Sequence, residues 1–126
     1  MNFPSNIKYT KDHEWIKVEG EFAKIGITEY AQGELGDIVF VELPKIGSKL
    51  EQGKSFGTIE AVKAVSDLYA PVNGEVVELN KEVQDSPEVV NKEPYERGWM
   101  VKVRIENPAQ LANLLDVEAY KKLIAK

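Results

Sequence analysis

Cysteine is absent from this chain of 126 residues, and histidine occurs once, at His13. No disulfide or thiolate metal site can form, and any thiol chemistry has to arrive on an attached group. A nucleophile-and-base constellation has almost nothing to draw on, which argues against a stand-alone enzyme. Positive charge is also short: 16 Lys and Arg face 21 Asp and Glu, for a net charge of −5. Without a basic stripe, binding to a nucleic-acid backbone is excluded. The same acidity suits solubility and docking to basic collars on protein partners. No apolar run approaches the about 18 residues that a membrane span needs, so no membrane partner is expected. The N-terminus, Met1-Asn2-Phe3-Pro4-Ser5-Asn6-Ile7-Lys8, lacks the apolar stretch of a secretory signal and the Arg-rich character of a transit peptide. The expectation is a cytoplasmic protein.

What is present is ordinary globular material: 43% hydrophobic and 29% charged residues, enough for one domain over residues 1–126 with a real core. Glu14 to Ile27 alternates in period two about Glu19-Gly20-Glu21, the pattern of a β-hairpin. Thr28 suits the N-cap of a short helix with Ala31 and Leu35 on one face, stopped by Gly33 or Gly36. Ile38 to Leu43 is a strand ended by Pro44. Ser86-Pro87 suggests a helical turn with proline at its first position, and Trp99 to Ile105 is the last strand. Asn107-Pro108 and Asp116 then open two helical segments carrying Leu111, Leu114 and Leu115, and Val117, Tyr120, Leu123 and Ile124. Gly98-Trp99 marks a tight approach to the last strand with a buried indole, and Tyr95 seals the same edge.

Lys63 is the most informative position. Strand-like residues precede it (Phe56, Ile59, Val62) and follow it (Leu68, Val72, Val76, Val77, Leu79), while Gly53, Gly57, Pro71 and Asn73-Gly74 supply turns. Its neighbours Ala61 and Ala64 are small. Most of the fourteen lysines are solvated surface groups; a lysine at a small-residue hairpin tip is where a carrier domain hangs a covalent arm. An internal echo supports the arrangement: Gly36-Asp37-Ile38-Val39-Phe40-Val41-Glu42-Leu43 resembles Gly74-Glu75-Val76-Val77-Glu78-Leu79. Two such units either side of Lys63 suggest a quasi-symmetric pair of sheets with the turn projecting outward.

The segment Glu60-Ala61-Val62-Lys63-Ala64-Val65-Ser66-Asp67-Leu68-Tyr69-Ala70-Pro71-Val72-Asn73-Gly74 strongly resembles the lipoyl-attachment segment of the glycine cleavage system H proteins. Tyr9-Thr10-Lys11-Asp12-His13-Glu14-Trp15 is similar to the family's opening strand. Gly26 to Gln32, Leu35 to Pro44, Asn91 to Tyr95 and Gly98-Trp99 match further signatures in the same order, so the resemblance covers roughly residues 7 to 125. It implies a mainly β fold with short helices, a barrel-sandwich hybrid of the lipoyl/biotinyl type with C-terminal helices.

The resemblance also implies a non-catalytic carrier with (R)-lipoate joined to Lys63 as N6-lipoyllysine. Its partners would be glycine decarboxylase (P protein), aminomethyltransferase (T protein), dihydrolipoyl dehydrogenase (L protein), and a lipoate ligase or octanoyl/lipoyl transferase. Glu60 is the implied recognition residue for lipoylation. Ala61 stands where serine is commonest, which bears only on fine contacts with the attaching enzyme. Glu14 and Asp67 are the implied candidates for the cleft that receives the loaded arm, where a carboxylate could hold a primary ammonium by a charge-assisted hydrogen bond. From the residues alone, Glu14, Glu60 and Asp67 are equally compatible with ordinary solvated acids. A monomer is expected, because a carrier visits several active sites. Other swinging-arm classes fit less well: Lys63 has Val62 and Ala64 beside it, unlike the methionines of biotinyl domains or the Asp-Lys-Ala of 2-oxo acid dehydrogenase domains. Ser66-Asp67-Leu68 has the wrong order, on a strand, for a phosphopantetheine site. A lipoyl-relay protein donating lipoate to other lipoyl domains remains the alternative carrier role, and a purely structural module would leave the lysine's setting unexplained.

Overall fold

The computed structural model describes residues 2–125; Met1 and Lys126, the ends of the expected 1–126 domain, lie outside the described residues. Glu14–Glu19 (β2) and Phe22–Ile27 (β3) form the hairpin expected about Gly20, whose φ of 69° lies in the left-handed region. Lys8–Tyr9 (β1) pairs on the outer side of β2, and Val101–Ile105 (β9), Gly74–Leu79 (β8) and Lys49–Leu50 (β5) continue beyond β3. Together they make a six-stranded sheet in the order β1-β2-β3-β9-β8-β5, antiparallel at every pairing. A second sheet has three strands in the order β4-β6-β7, from Ile38–Glu42, Ser55–Ala61 and Val65–Tyr69. The two echoing segments are β4 and β8, one in each sheet. Those sheets are unequal, because only the larger recruits the N-terminal hairpin and the last strand.

Apolar faces of the two sheets fill two neighbouring cores. Ile38, Val41, Ile59 and Leu68 pack with Val83, Val89, Val90 and Met100; Ile16, Ile25, Val76, Val101 and Val103 pack with Leu50, Ala70 and Val72. A third cluster of Ile7, Tyr9, Trp15 and Tyr120 fixes the C-terminal helix Val117–Ile124 (α4) against β1 and β2. In it, the Tyr9 and Tyr120 rings stack with centroids 4.6 Å apart.

Helix caps follow the sequence closely. Thr28 accepts from the Ala31 amide and opens Glu29–Leu35 (α1), which stops at Gly36 rather than Gly33, Gly36 having φ 86°. Asn107 and Asp116 cap the 3₁₀ turn Pro108–Asn113 and α4.

Four local expectations are corrected. Tyr9–Trp15 is not one strand: the chain folds back at Thr10–His13, so that Tyr9 lies opposite Trp15. Lys81–Asp85 (α2), capped by Asn80, precedes the expected turn, which becomes Val89–Lys92 (α3). The fully buried indole is Trp15, which donates to Pro94 O at 2.9 Å, whereas Trp99 is half-buried beneath Lys24. Gly98 does make the tight approach, since a Cβ there would stand 2.7 Å from Glu93 O. Val62 belongs to the turn and is 76% exposed.

Gly57 lets β6 cross close to β4: an added Cβ would sit 2.3 Å from Glu42 O. Gly57→Ala is expected to lower stability by about 3 kcal/mol, measured by urea unfolding.

Candidate functional site

Lys63 stands on the exposed turn between β6 and β7. The turn is closed by Ala61 N donating to Ala64 O at 2.7 Å and anchored to the residue before β4 by Val62 N donating to Asp37 O at 3.1 Å. Helix α1 leads into that anchor. Asn91, on α3, holds the junction with three hydrogen bonds: Nδ2 donates to Gln32 Oε1 (2.8 Å) and Gly36 O (2.9 Å), and Oδ1 accepts from Ile38 N (2.8 Å). The lysine stem leans over Gly36, where an added Cβ would lie 3.3 Å from Lys63 Cε. Small residues thus surround an amine open to solvent, on a turn tied down by two main-chain hydrogen bonds.

Apolar side chains flank this tip without cover. Val65 is 68% exposed and Phe40 52%; both pair with Glu60, so Phe40, Glu60 and Val65 form one row on the outer face of the sheet. The next row is Glu42, Thr58 and Asp67. An apolar strip edged with carboxylates is a suitable surface for a partner with a basic rim.

At the other end of β7 lies a cleft of about 330 Å³, lined by Tyr9, Thr10, Glu14, Tyr69, Pro71 and Leu114 among others. Glu14 is 2% exposed and has no cationic partner among the described residues; instead Thr10 Oγ1 donates to Oε1 at 2.6 Å and Tyr69 N donates to Oε2 at 3.1 Å. Burial pushes its carboxyl up to about 7, with Asp12 adding to the rise, against the Thr10 hydroxyl, the Tyr69 amide and Glu14's own amide, which favour the anion. His13 backs the same loop with Nδ1 2.9 Å from Tyr120 Oη, and its own burial holds it below the usual histidine range. A buried carboxyl poised near neutrality at an apolar cleft can accept a proton or an ammonium group.

The four sequence-derived positions fall in three places. Lys63 and Glu60 are together at the tip, and Glu14 is in the cleft. Asp67 lies between, exposed on the outer face, with Oδ1 3.4 Å from Ser55 Oγ and Oδ2 3.5 Å from Tyr69 Oη; it is not among the cleft's lining residues. Tyr69 is six positions after Lys63, at most about 20 Å at strand rise. Thr10, Tyr69 and Asn91 were not singled out from the sequence. Thr10 carried a usable signal, a threonine four residues before a buried acid at a chain reversal. Tyr69 contributes a main-chain amide, which no side-chain pattern encodes.

A family model described as Glycine cleavage H-protein matches residues 7–126. The chain is 58% identical over 126 residues to the glycine cleavage system H protein of Staphylococcus carnosus, covering all of both chains. It is 57% identical over 124 residues to the protein of that name in Bacteroides fragilis, covering 98% of each. The crystal structure of a glycine cleavage system H protein from Mycobacterium marinum superposes with a TM-score of 0.91 at 36% identity, covering 98% of this chain and 100% of that one.

Two consequences can be measured. The folded Glu14 carboxyl titrates at about 7 against an ordinary 4.5, so the native state keeps a proton that the unfolded chain releases. This contribution is full below pH 4.5 and is lost as pH rises through about 7, a change of about 3 kcal/mol. Glu14→Gln should flatten the slope of urea-unfolding stability across that window. Asn91→Ala removes three hydrogen bonds at the α1–β4 junction and should cost about 2 kcal/mol, read as a lowered denaturation midpoint.

Proposed function

The chain belongs to the glycine cleavage H-protein family, and from that membership we propose that it is a lipoyl carrier of the glycine cleavage system with Lys63 as the attachment point. The observation that carries the assignment of the site is the exposed Lys63 amine on a tight, small-residue turn. The surroundings fit the group. Ala61 and Ala64 leave the amine open to an attaching enzyme, and the walls of the cleft from Tyr69, Pro71 and Leu114 suit a hydrocarbon arm. Lipoate in amide linkage supplies a dithiolane that takes up and gives up the aminomethyl group of glycine.

The protein's residues do the rest without catalysis of their own. The Ala61–Ala64 closure and the Val62–Asp37 hydrogen bond hold the point of attachment still. Glu60, exposed beside it, marks this lysine for a lipoate ligase or octanoyl/lipoyl transferase. Glu14 receives the cargo's amine: an ammonium beside it favours the ionised carboxylate, so a pair forms inside a site that excludes water. Asp67, on the path between tip and cleft, adds negative charge along that path. In this reading the cargo comes from glycine decarboxylase (P protein) and goes to aminomethyltransferase (T protein), and dihydrolipoyl dehydrogenase (L protein) restores the disulfide. Each partner approaches the strip of Phe40, Val62 and Val65 that surrounds the lysine. The carrier works as a monomer in the cytoplasm.

The test is intact and peptide mass spectrometry of protein from its native host. A lipoyl-sized addition confined to Lys63, and missing from Lys63→Arg, is expected. A biotin-sized addition would move the function to carboxyl transfer. A bare Lys63 in the presence of lipoate and a competent ligase would overturn the carrier reading.

A further inference from the structure

The loop that reverses the chain between β1 and β2 is closed by its own main chain: Thr10 N donates to Glu14 O at 2.9 Å, and His13 N donates to Thr10 O at 3.1 Å. His13 closes it with φ 71°, the one left-handed non-glycine among the described residues. Inside the loop, Thr10 Oγ1 accepts from Asp12 N at 3.2 Å and from Glu14 N at 3.1 Å. A hydroxyl has two lone pairs and one proton. With both lone pairs occupied, the proton has one destination, Glu14 Oε1 at 2.6 Å, a length expected for a hydroxyl on a carboxylate.

Tyr69 N takes one site on Oε2, so each carboxylate oxygen keeps one lone pair free. Around it stand Lys11 and Asp12 from the same loop, Tyr9 from β1 and Tyr69 from β7, with Tyr120 of α4 behind. Among the described residues Lys11 is the one cation lining the cleft, and Glu14 is not paired with it. The Thr10 and Tyr69 donors, with Glu14's own amide, are therefore what offsets the burial of this acid.

We propose that Thr10 is a positioning residue for the carrier's cargo: its committed hydroxyl proton fixes the Glu14 carboxylate in the orientation that leaves a lone pair on each oxygen for a primary ammonium in the cleft. This rests on the carrier reading above. It assigns to Thr10 a role beyond closing a turn, since a turn needs only the acceptor lone pairs. The donor half of the same hydroxyl acts on Glu14.

The test uses the lipoylated full chain, wild type against Thr10→Val, Thr10→Ser and Glu14→Gln. The first readout is the titration midpoint of the Glu14 side-chain carboxyl by ¹³C NMR, with the Tyr69 amide proton, bonded to the same carboxyl, as reporter of an intact loop. The second uses the reduced protein loaded with formaldehyde and ammonia, following release of formaldehyde at pH 7 as water breaks the C–S bond to leave thiol, formaldehyde and ammonia. Thr10→Val is expected to raise the midpoint by about one pH unit and to speed release by about tenfold, while Thr10→Ser restores both. An unchanged midpoint and release in Thr10→Val, with Glu14→Gln still accelerating release, would overturn the inference and leave the carrier reading standing. Loss of the Tyr69 amide's titration in Thr10→Val would also overturn it, by assigning Thr10 to loop folding alone. If Glu14→Gln itself leaves release unchanged, the cleft is not where the amine is held, and this inference falls together with the role given to Glu14, while lipoylation of Lys63 still carries the carrier reading.

Discussion

A carboxyl group removed from water needs either a counter-charge or a set of donors, and among the described residues Glu14 has only donors. Much of the molecule's layout follows from meeting that need. Thr10 supplies one donor because the chain reverses between β1 and β2. Tyr69 supplies the other because β7 ends against that reversal, which ties the small sheet to the large one. The reversal is in turn backed by His13 and Tyr120, and Tyr120 Oη also lies 2.7 Å from Thr28 Oγ1, the cap of α1. The C-terminal helix, the first helix and both sheets thus meet behind one acid whose charge is left unmatched.

The cap and turn residues made the outline of the fold legible. Thr28, Asn107 and Asp116 each accept the main-chain hydrogen bond that their position at a helix start predicts. The small neighbours of Lys63 and the turn signals around it placed the hairpin, because glycine, alanine and asparagine report local geometry directly. Local chemistry was harder to read where it ran against a stronger pattern. The resemblance over Tyr9–Trp15 implied one opening strand through Thr10–His13, but a left-handed His13 and a bonded Thr10 break it. Helix α2 was hidden because its five residues, Lys81–Asp85, carry one buried apolar side chain, Val83.

The candidate site divided in the same way. Lys63 was visible as a residue type in a setting, and family resemblance pointed to Glu14 and Asp67 together. The fold separates those two acids: Glu14 is at the inner end of β2, and Asp67 faces outward from an edge strand. Which acid a cleft encloses depends on how strands from distant parts of the chain are paired, and that is a property of topology. Trp15 and Trp99 show the same limit. Either could have been the buried indole, and the choice falls to Trp15 because Gly26, facing it across the hairpin, leaves room for the ring.

Strand β7 carries the attachment turn at one end and the wall of the cleft at the other, so its length sets how far an arm must travel. A pleated strand turns over at every residue. That spacing can therefore change only in steps of two residues, about 7 Å each, unless a bulge absorbs the odd one. The partner strand β6 already has such an irregularity between Ser55 and Gly57. The hairpin behaves as a ruler with coarse graduations, and a tether of fixed chemical length can match only certain marks on it.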